Sequence, residues 1–143
     1  MNYQKDTENV EKTKKIVIAC SGKFQEEIQK WKKYFESHGY EVINYPKKIN
    51  QENAEEYKDI YIEFFESLDE TDELFILNEE KNGIEGYIGS QVFAELTHVI
   101  VQKVIQNKDK KIWILNHPSK DVKCYIEIMN FIKLGWVEMF PKN

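Results

Sequence analysis

The chain has 143 residues, of which 41% are hydrophobic and 31% are charged; this composition is typical of one globular domain and excludes a largely disordered protein. The net charge of −5 gives no overall attraction to nucleic acid or to anionic lipid, so neither is an expected partner. All 20 basic residues are lysines. A bound phosphate would therefore have to be held by lysine, hydroxyl or backbone N–H groups rather than by a guanidinium fork.

The first 13 residues are polar and charged, and the sequence predicts a disordered arm over 1–13 and a single α/β domain over 14–143. The arm contains no apolar core of a signal peptide, and no later segment has the length of a membrane span. We therefore predict a cytoplasmic protein that does not interact with membranes.

Apolar strands alternate with amphipathic helices along the whole domain. Strands are predicted at 15–20, 40–46, 72–78, 110–116 and, as an edge strand, 135–140. Helices are predicted at 24–39, at 53–68, from residue 90 to about 104, and at 122–134. This alternation favours right-handed crossovers and a parallel sheet covered on both faces. Ligands of such sheets bind beyond the carboxyl ends of the strands, where four loops meet here.

Several common chemistries lack their signatures. The sequence contains no GxxxxGK[ST] phosphate loop and no GxGxxG after the first strand. Cys20 ends an apolar strand, which is more typical of a buried free thiol than of a disulfide or a metal ligand. The three histidines are isolated from one another and from the cysteines, so we predict neither a metal site nor a cofactor.

The loop after the third strand, within "GIEGYIGSQVFAEL" (83–96), contains three of the chain's 6 glycines. Glycines such as Gly86 and Gly89 allow a backbone to approach a ligand, and Ser90 is a suitable N-cap for the next helix. Glu95 lies about one turn into that helix, at the edge of its apolar stripe. Two interpretations remain open: a carboxylate that points into the cleft, or a surface acid near a helix N-terminus.

The order "KIVIACSGKF", "GYEVINYP", "DELFILN", "GYIGSQVFAEL" and "KKIWILN" resembles the nucleoside 2-deoxyribosyltransferase-like superfamily, and in particular its small bacterial branch with a GYIG…S…E motif. The similarity covers about residues 15–116. It implies a flavodoxin-like (Rossmann-like) three-layer sandwich with a parallel sheet of about five strands. It also implies a homodimer or higher homo-oligomer, and a nucleoside or nucleotide as the small-molecule partner.

The resemblance implies chemistry at the N-glycosidic bond, either as a deoxyribosyltransferase or as a nucleotide N-glycosidase, with Glu95 as the nucleophile. It places the sugar or phosphate beside Ser21, Gly22 and Lys23. The chain departs from the transferases at two positions, with Gly89 in place of an acidic residue and Gln91 in place of a glycine. For the departing base, Glu85 or a bound water is the predicted proton donor.

Other side chains have two interpretations each. Phe24, Tyr45 and Tyr87 either stack on a base or pack in the core. Asn78 and Asn116 end strands and either bind a ligand or cap the next turn. Two rival functions also stay open: a non-catalytic nucleotide-binding module of the same fold, and an interaction protein that uses the aromatic stripe of the second helix.

Overall fold

The computed structural model describes residues 13–142, so the predicted arm lies outside the described residues except for Thr13. The strands are β1 (Lys15–Ala19), β2 (Glu41–Asn44), β3 (Glu73–Ile76), β4 (Lys111–Ile114) and β5 (Glu138–Met139). The helices are α1 (Gln25–Ser37), α2 (Ala54–Glu70), α3 (Ser90–Ile100), a π-helical turn (Val101–Ile105) and α4 (Tyr125–Lys133). None of these helices is both long enough and apolar enough to cross a membrane.

The sheet has five strands in the order β2-β1-β3-β4-β5, and all neighbouring strands are parallel. The two central strands are short apolar runs, and all four residues of β3 are buried. This is the composition expected of parallel strands covered on both faces. The predicted α/β class and the predicted edge position of β5 are confirmed.

Helices cover the two faces of the sheet unequally. On one face, α1 packs Ile28 and Phe35 against the sheet. On the other face, α2, α3 and α4 contribute a larger core that includes Leu68, Leu96 and Ile128. The result is a flavodoxin-like three-layer arrangement, as predicted, with the chain reversing its direction of winding between β1 and β3.

Helix α2 begins as its sequence predicts, because the side chain of Asn53 accepts a hydrogen bond from the backbone N–H of Glu56 (3.2 Å). The predicted N-cap of α3 is wrong. Gly89 occupies the cap position, with an extended backbone, and Ser90 is already the first helical residue. Gly89 has no side chain with which to cap, so the first N–H groups of α3 receive no side-chain cap.

A buried lysine stabilises the C-terminal end of α2. The Nζ of Lys110 donates hydrogen bonds to the backbone carbonyls of Leu68 (3.0 Å), Asp69 (3.0 Å) and Thr71 (2.6 Å). These are carbonyls that the helix itself leaves without N–H partners at its end. Lys110 is 7% exposed, and burial lowers the pKa of its ammonium group.

We expect Lys110→Met to lower the free energy of unfolding by about 2 kcal/mol, because three carbonyls, those of Leu68 and Thr71 buried and that of Asp69 partly so, lose a charged donor. Urea unfolding of the purified variant measures this loss. Lys108→Met is the matched control, since it removes the same charge from an exposed position in the same loop. Equal unfolding midpoints for the two variants would show that the carbonyl contacts contribute no stability.

The π-helical turn joins α3 to the end of α2. Gln102 lies in this turn, is buried, and donates through Nε2 to Asp69 Oδ1 (2.6 Å). The ring Nε2 of His98 lies 2.9 Å from the same carboxylate oxygen. The hydrogen bond to His98 is the main cause that lowers the pKa of Asp69. These contacts fix α3, which carries Glu95, against α2.

Candidate functional site

The cleft that contains Glu95 lies at the carboxyl ends of β1 and β3, where the strand order reverses. Open parallel sheets bind ligands at this point because the loops of the two central strands diverge there. The cleft has a volume of about 290 Å³, which is at the lower end of the range for small-molecule sites. Its size therefore suits one small molecule.

Three loops and two helices form the walls. The loops are those after β1, β2 and β3, and the helices are α2 and the first turns of α3. From α2 come Tyr57, Tyr61 and Phe64, which give one wall a continuous aromatic surface. Tyr57 and Tyr61 are 39% and 42% exposed, so they can contact a ligand without repacking of the core.

Glu95 is a carboxylate that lines the cleft and is nevertheless 93% buried, with 7% of its surface exposed. Gln91 Nε2 donates to Glu95 Oε2 (3.3 Å), and the Tyr57 hydroxyl in turn donates to Gln91 Oε1 (3.3 Å). The other oxygen, Oε1, accepts no hydrogen bond from residues 13–142 and still contacts solvent. One oxygen is thus held in place while the other remains available to a ligand.

Burial raises the pKa of Glu95 to about 7, and the hydrogen bond from Gln91 acts in the opposite direction. A carboxylate at this pKa is close to half ionised at neutral pH. Strongly shifted groups that line a cleft are more frequent at functional sites than elsewhere. Cys20, the last residue before the β1 loop, lies nearby; burial and then the charge of Glu95 raise the pKa of its thiol.

Lys81 and Ser21 meet across the cleft. Lys81 belongs to the loop after β3, and its Nζ donates to Ser21 Oγ (3.0 Å). The same Nζ lies 4.7 Å from the centroid of the Tyr87 ring. Because Ser21 belongs to the loop that follows β1, the ammonium group of Lys81 lies on the side of the cleft that this loop forms.

Two glycines explain the path of the loop after β3. Asn82 and Gly83 both have positive φ (53° and 81°), and Lys81 pairs with Ile84 across them, which is the geometry of a tight Asn-Gly hairpin turn. Gly86 also has positive φ (64°), and a Cβ there would lie 2.5 Å from the backbone oxygen of His117. Gly86 therefore allows a close approach to the backbone of His117, rather than to a ligand.

The structure brings about half of the predicted site residues into the cleft. The residues that line it are Ser21, Gly22, Tyr87, Gly89, Ser90 and Glu95. The remaining predictions lie elsewhere. Phe24 is buried in the core under α1, Tyr45 packs against that core, and Lys23 is exposed outside the cleft lining.

Asn78 and Asn116 bind each other. Asn78 Nδ2 donates to the Asn116 carbonyl (2.7 Å), Asn78 Oδ1 accepts from the Asn116 N–H (3.0 Å), and Asn116 Nδ2 donates to the Asn78 carbonyl (2.8 Å). These bonds extend the pairing of β3 and β4 by one step beyond the strands. Neither residue lines the cleft of Glu95, so the structure favours their capping interpretation.

Glu85 lines a different cleft, together with Gly86, Asn116 and two further acids, Glu79 and Glu80. The hairpin turn at Asn82 and Gly83 precedes it, and its own carbonyl accepts a hydrogen bond from the Ser119 N–H (2.9 Å). Glu85 therefore lies in a different cleft from Glu95 and is not placed to protonate a base that leaves there. Of the two predicted proton donors, Glu85 and a bound water, the water remains.

Sequence reasoning missed several residues that line the cleft. The predicted lysine, Lys23, lies outside the cleft lining, whereas Lys47 and Lys81 line it without having been predicted; Gln91 entered the sequence analysis only as a departure from a family pattern. The Asn-Gly pair at 82–83 is a strong hairpin signal and could have located Lys81. The missed lining residues are Cys20, Pro46, Lys47, Ile49, Gln51, Tyr57, Ile60, Tyr61, Phe64, Lys81, Gln91 and Val92.

Within residues 13–142, no group of three or more His, Cys, Asp or Glu side chains is arranged to hold a metal ion. Comparison of the chain with protein-family models, with curated proteins and with solved structures finds no match. The resemblance to the deoxyribosyltransferase-like superfamily therefore stays a prediction.

Proposed function

We propose that this protein cleaves the N-glycosidic bond of a nucleoside or nucleotide, with Glu95 as the nucleophile. The observation that supports this most strongly is the placement of Glu95, a buried carboxylate at the switch point of the sheet with one oxygen fixed and the other facing the cleft. The motif around Glu95, which resembles that of the deoxyribosyltransferase-like superfamily, adds support from the sequence.

In the first step, ionised Glu95 attacks C1′ of the sugar while the C1′–N bond breaks. The bonding electrons leave with the base, which takes a proton from water, and an ester joins Glu95 to C1′. In the second step, water attacks C1′, the ester bond breaks to restore the carboxylate, and the proton that this water loses neutralises the hydroxide left when the base was protonated. In a transferase, a ring nitrogen of a second base takes the place of water and loses its proton in the same way. Gln91 positions the carboxylate in both steps through its bond to Oε2.

The aromatic wall offers a place for the base. Tyr57 and Tyr61 have ring centroids 6.0 Å apart, and Tyr87 lines the same cleft. Partly exposed tyrosines provide flat apolar surface for a heterocycle together with hydroxyl groups for polar contacts. This wall is the same aromatic stripe that the sequence offered as an interaction surface, and its position in the cleft favours a ligand-binding role.

The test is a panel of ribo- and deoxyribonucleosides and their 5′-monophosphates, incubated with the protein and analysed for free base by chromatography. We expect base release from at least one substrate, and a rate that increases with pH through about 7, because the nucleophile has to be ionised. Addition of a second base distinguishes transfer from hydrolysis.

Base release from no substrate, together with thermal stabilisation by one of them, would contradict the enzyme and support the rival binding module. The homodimer and the cytoplasmic location belong to the same proposal. Sedimentation of the purified chain tests the first, and fractionation of the producing cells tests the second.

A further inference from the structure

We propose that Tyr57 is a positioning residue for the attack by Glu95, because its hydroxyl fixes the Gln91 amide that holds the carboxylate. This inference rests on the proposed function. It adds a link between the aromatic wall, which would receive the base, and the group that attacks the sugar. The transferases that the chain resembles have a glycine at the position of Gln91, so the resemblance does not imply this contact.

The hydrogen-bond donors and acceptors of the three side chains fit together in one order. An ionised carboxylate only accepts hydrogen bonds, so Nε2 of Gln91 has to face Glu95 Oε2, which lies 3.3 Å away. The amide oxygen Oε1 then faces Tyr57, whose hydroxyl donates to it (3.3 Å). With the amide rotated by half a turn, its oxygen would face the carboxylate and repel it. The Tyr57 hydroxyl therefore stabilises the orientation of the amide that ionised Glu95 needs.

Gln91 depends on this contact because packing does not hold its side chain. It is an exposed residue one turn before Glu95, on the same face of α3. A long exposed side chain samples several rotamers unless a contact selects one of them. Helix α2, which carries Tyr57, is itself fixed to the chain beyond α3, since Asp69 Oδ1 accepts a hydrogen bond from Gln102 Nε2 (2.6 Å). The glutamine therefore takes its position from a tyrosine on a fixed helix.

The hydrogen bond from Gln91 favours the ionised form of Glu95. It lowers the pKa of the carboxyl group, against the burial that raises this pKa to about 7. No ammonium group of residues 13–142 lies within 4.0 Å of the carboxylate. On α1, Glu27 contributes to the raised pKa of the Cys20 thiol, after burial and Glu95. The other titratable side chains that line the cleft are Cys20, Lys47, Tyr57, Tyr61, Lys81 and Tyr87.

A base that lies against Tyr57 would cover both hydrogen bonds from water. Tyr57 and Gln91 are both exposed to solvent, so water competes for their polar groups. Hydrogen bonds become stronger where water is excluded. The positioning effect should therefore be greatest once the substrate is bound, and its loss should lower kcat more than it raises KM.

The experiment measures kcat and KM for base release between about pH 5 and pH 9 with the best substrate of the nucleoside panel. Tyr57→Phe keeps the ring and removes the hydroxyl. We expect kcat to fall by about threefold to tenfold, with KM changed by less than about twofold. The acid limb of the kcat profile should move to higher pH by about 0.3 to 0.5 of a unit, because the ionised carboxylate loses a fixed donor. Tyr34→Phe is the control, since Tyr34 is 36% exposed on α1, outside the cleft lining, and should behave like the unaltered chain.

A double variant tests whether Tyr57 acts through Gln91. Gln91→Met removes the amide at nearly constant length, and adding Tyr57→Phe to it should have no further effect on kcat or on the pH profile. An unchanged kcat and pH profile in Tyr57→Phe, or an equal loss with and without Gln91→Met, would overturn the inference. A rise in KM alone would also overturn it, because the hydroxyl would then act on the base.

A second measurement separates this inference from the proposed function. If no substrate releases base, the pKa of Glu95 is measured by titration of its carboxyl carbon with ¹³C NMR. A higher pKa in Tyr57→Phe than in the unaltered chain and in Tyr34→Phe would support the positioning contact although the chemistry had failed. Equal pKa values in the three proteins would contradict it.

Discussion

Glu95→Gln should reduce the rate of base release by about a thousandfold or more, because an amide cannot form the ester with C1′. The side chain keeps its length, and its amide oxygen can still accept the hydrogen bond from Gln91 that Glu95 Oε2 accepts. The variant should therefore fold and bind substrate while its chemistry fails. Initial rates by chromatography, at a pH above 7, measure the loss.

The matched control is Glu66→Gln, which makes the same substitution at an exposed position on α2 outside the cleft lining. Its rate should equal that of the unaltered chain. A second observation tests the covalent step directly: acid-quenched samples taken during turnover should contain a pentosyl adduct on the peptide that includes Glu95. Base release that persists in Glu95→Gln would contradict the nucleophile assignment.

The same substitution should stabilise the protein at alkaline pH by up to about 3 kcal/mol. Burial raises the pKa of Glu95 from 4.5 to about 7, so the folded chain keeps a proton that the unfolded chain has already lost over that interval. The contribution of Glu95 to folding stability is therefore fully present below its unfolded pKa of 4.5. It is lost as the pH rises through the folded pKa of about 7. Glutamine has no such proton, so the variant is free of this loss.

Urea unfolding at pH 4, 6 and 8 measures the effect as a difference between Glu95→Gln and the unaltered chain. We expect a difference close to zero at pH 4 and the full difference at pH 8. Glu66→Gln, at an exposed position on α2, is measured alongside as the control. A difference between Glu95→Gln and the unaltered chain that does not change with pH would show that Glu95 ionises freely in the folded state.

The parallel sheet and its covering layers follow from features that a sequence displays directly. Buried parallel strands are continuous apolar runs, and helices that cover them have one apolar stripe, so their alternation indicated the α/β fold. The predicted ends of the strands and helices were less accurate. Strand β3 was predicted over 72–78, whereas the structure gives Glu73–Ile76; at Asn78, side-chain hydrogen bonds to the Asn116 backbone replace the ladder of the strand. The π-helical turn was not predicted, because the spacing of its apolar residues resembles that of the preceding helix.

For the site, the sequence located Glu95 in relation to its own helix, because helical period fixes that relation. It did not locate the partners of Glu95, which depend on how separate elements pack. Tyr57, on α2, reaches Gln91 on α3, 34 residues further along the chain. Glu85 was predicted to lie in the site because it is close to Glu95 in sequence, but the path of the loop places it in a different cleft.

The three tryptophans lie in parts of the molecule that a ligand in the cleft does not touch. Trp31 and Trp113 are partly buried and pack against the core beneath α1, Trp136 packs against the larger core, and none of the three lines the cleft within residues 13–142. The aromatic groups near Glu95 are tyrosines, apart from Phe64. Tryptophan emission should therefore report unfolding of either face of the sheet, without a contribution from direct contact with a ligand in the cleft.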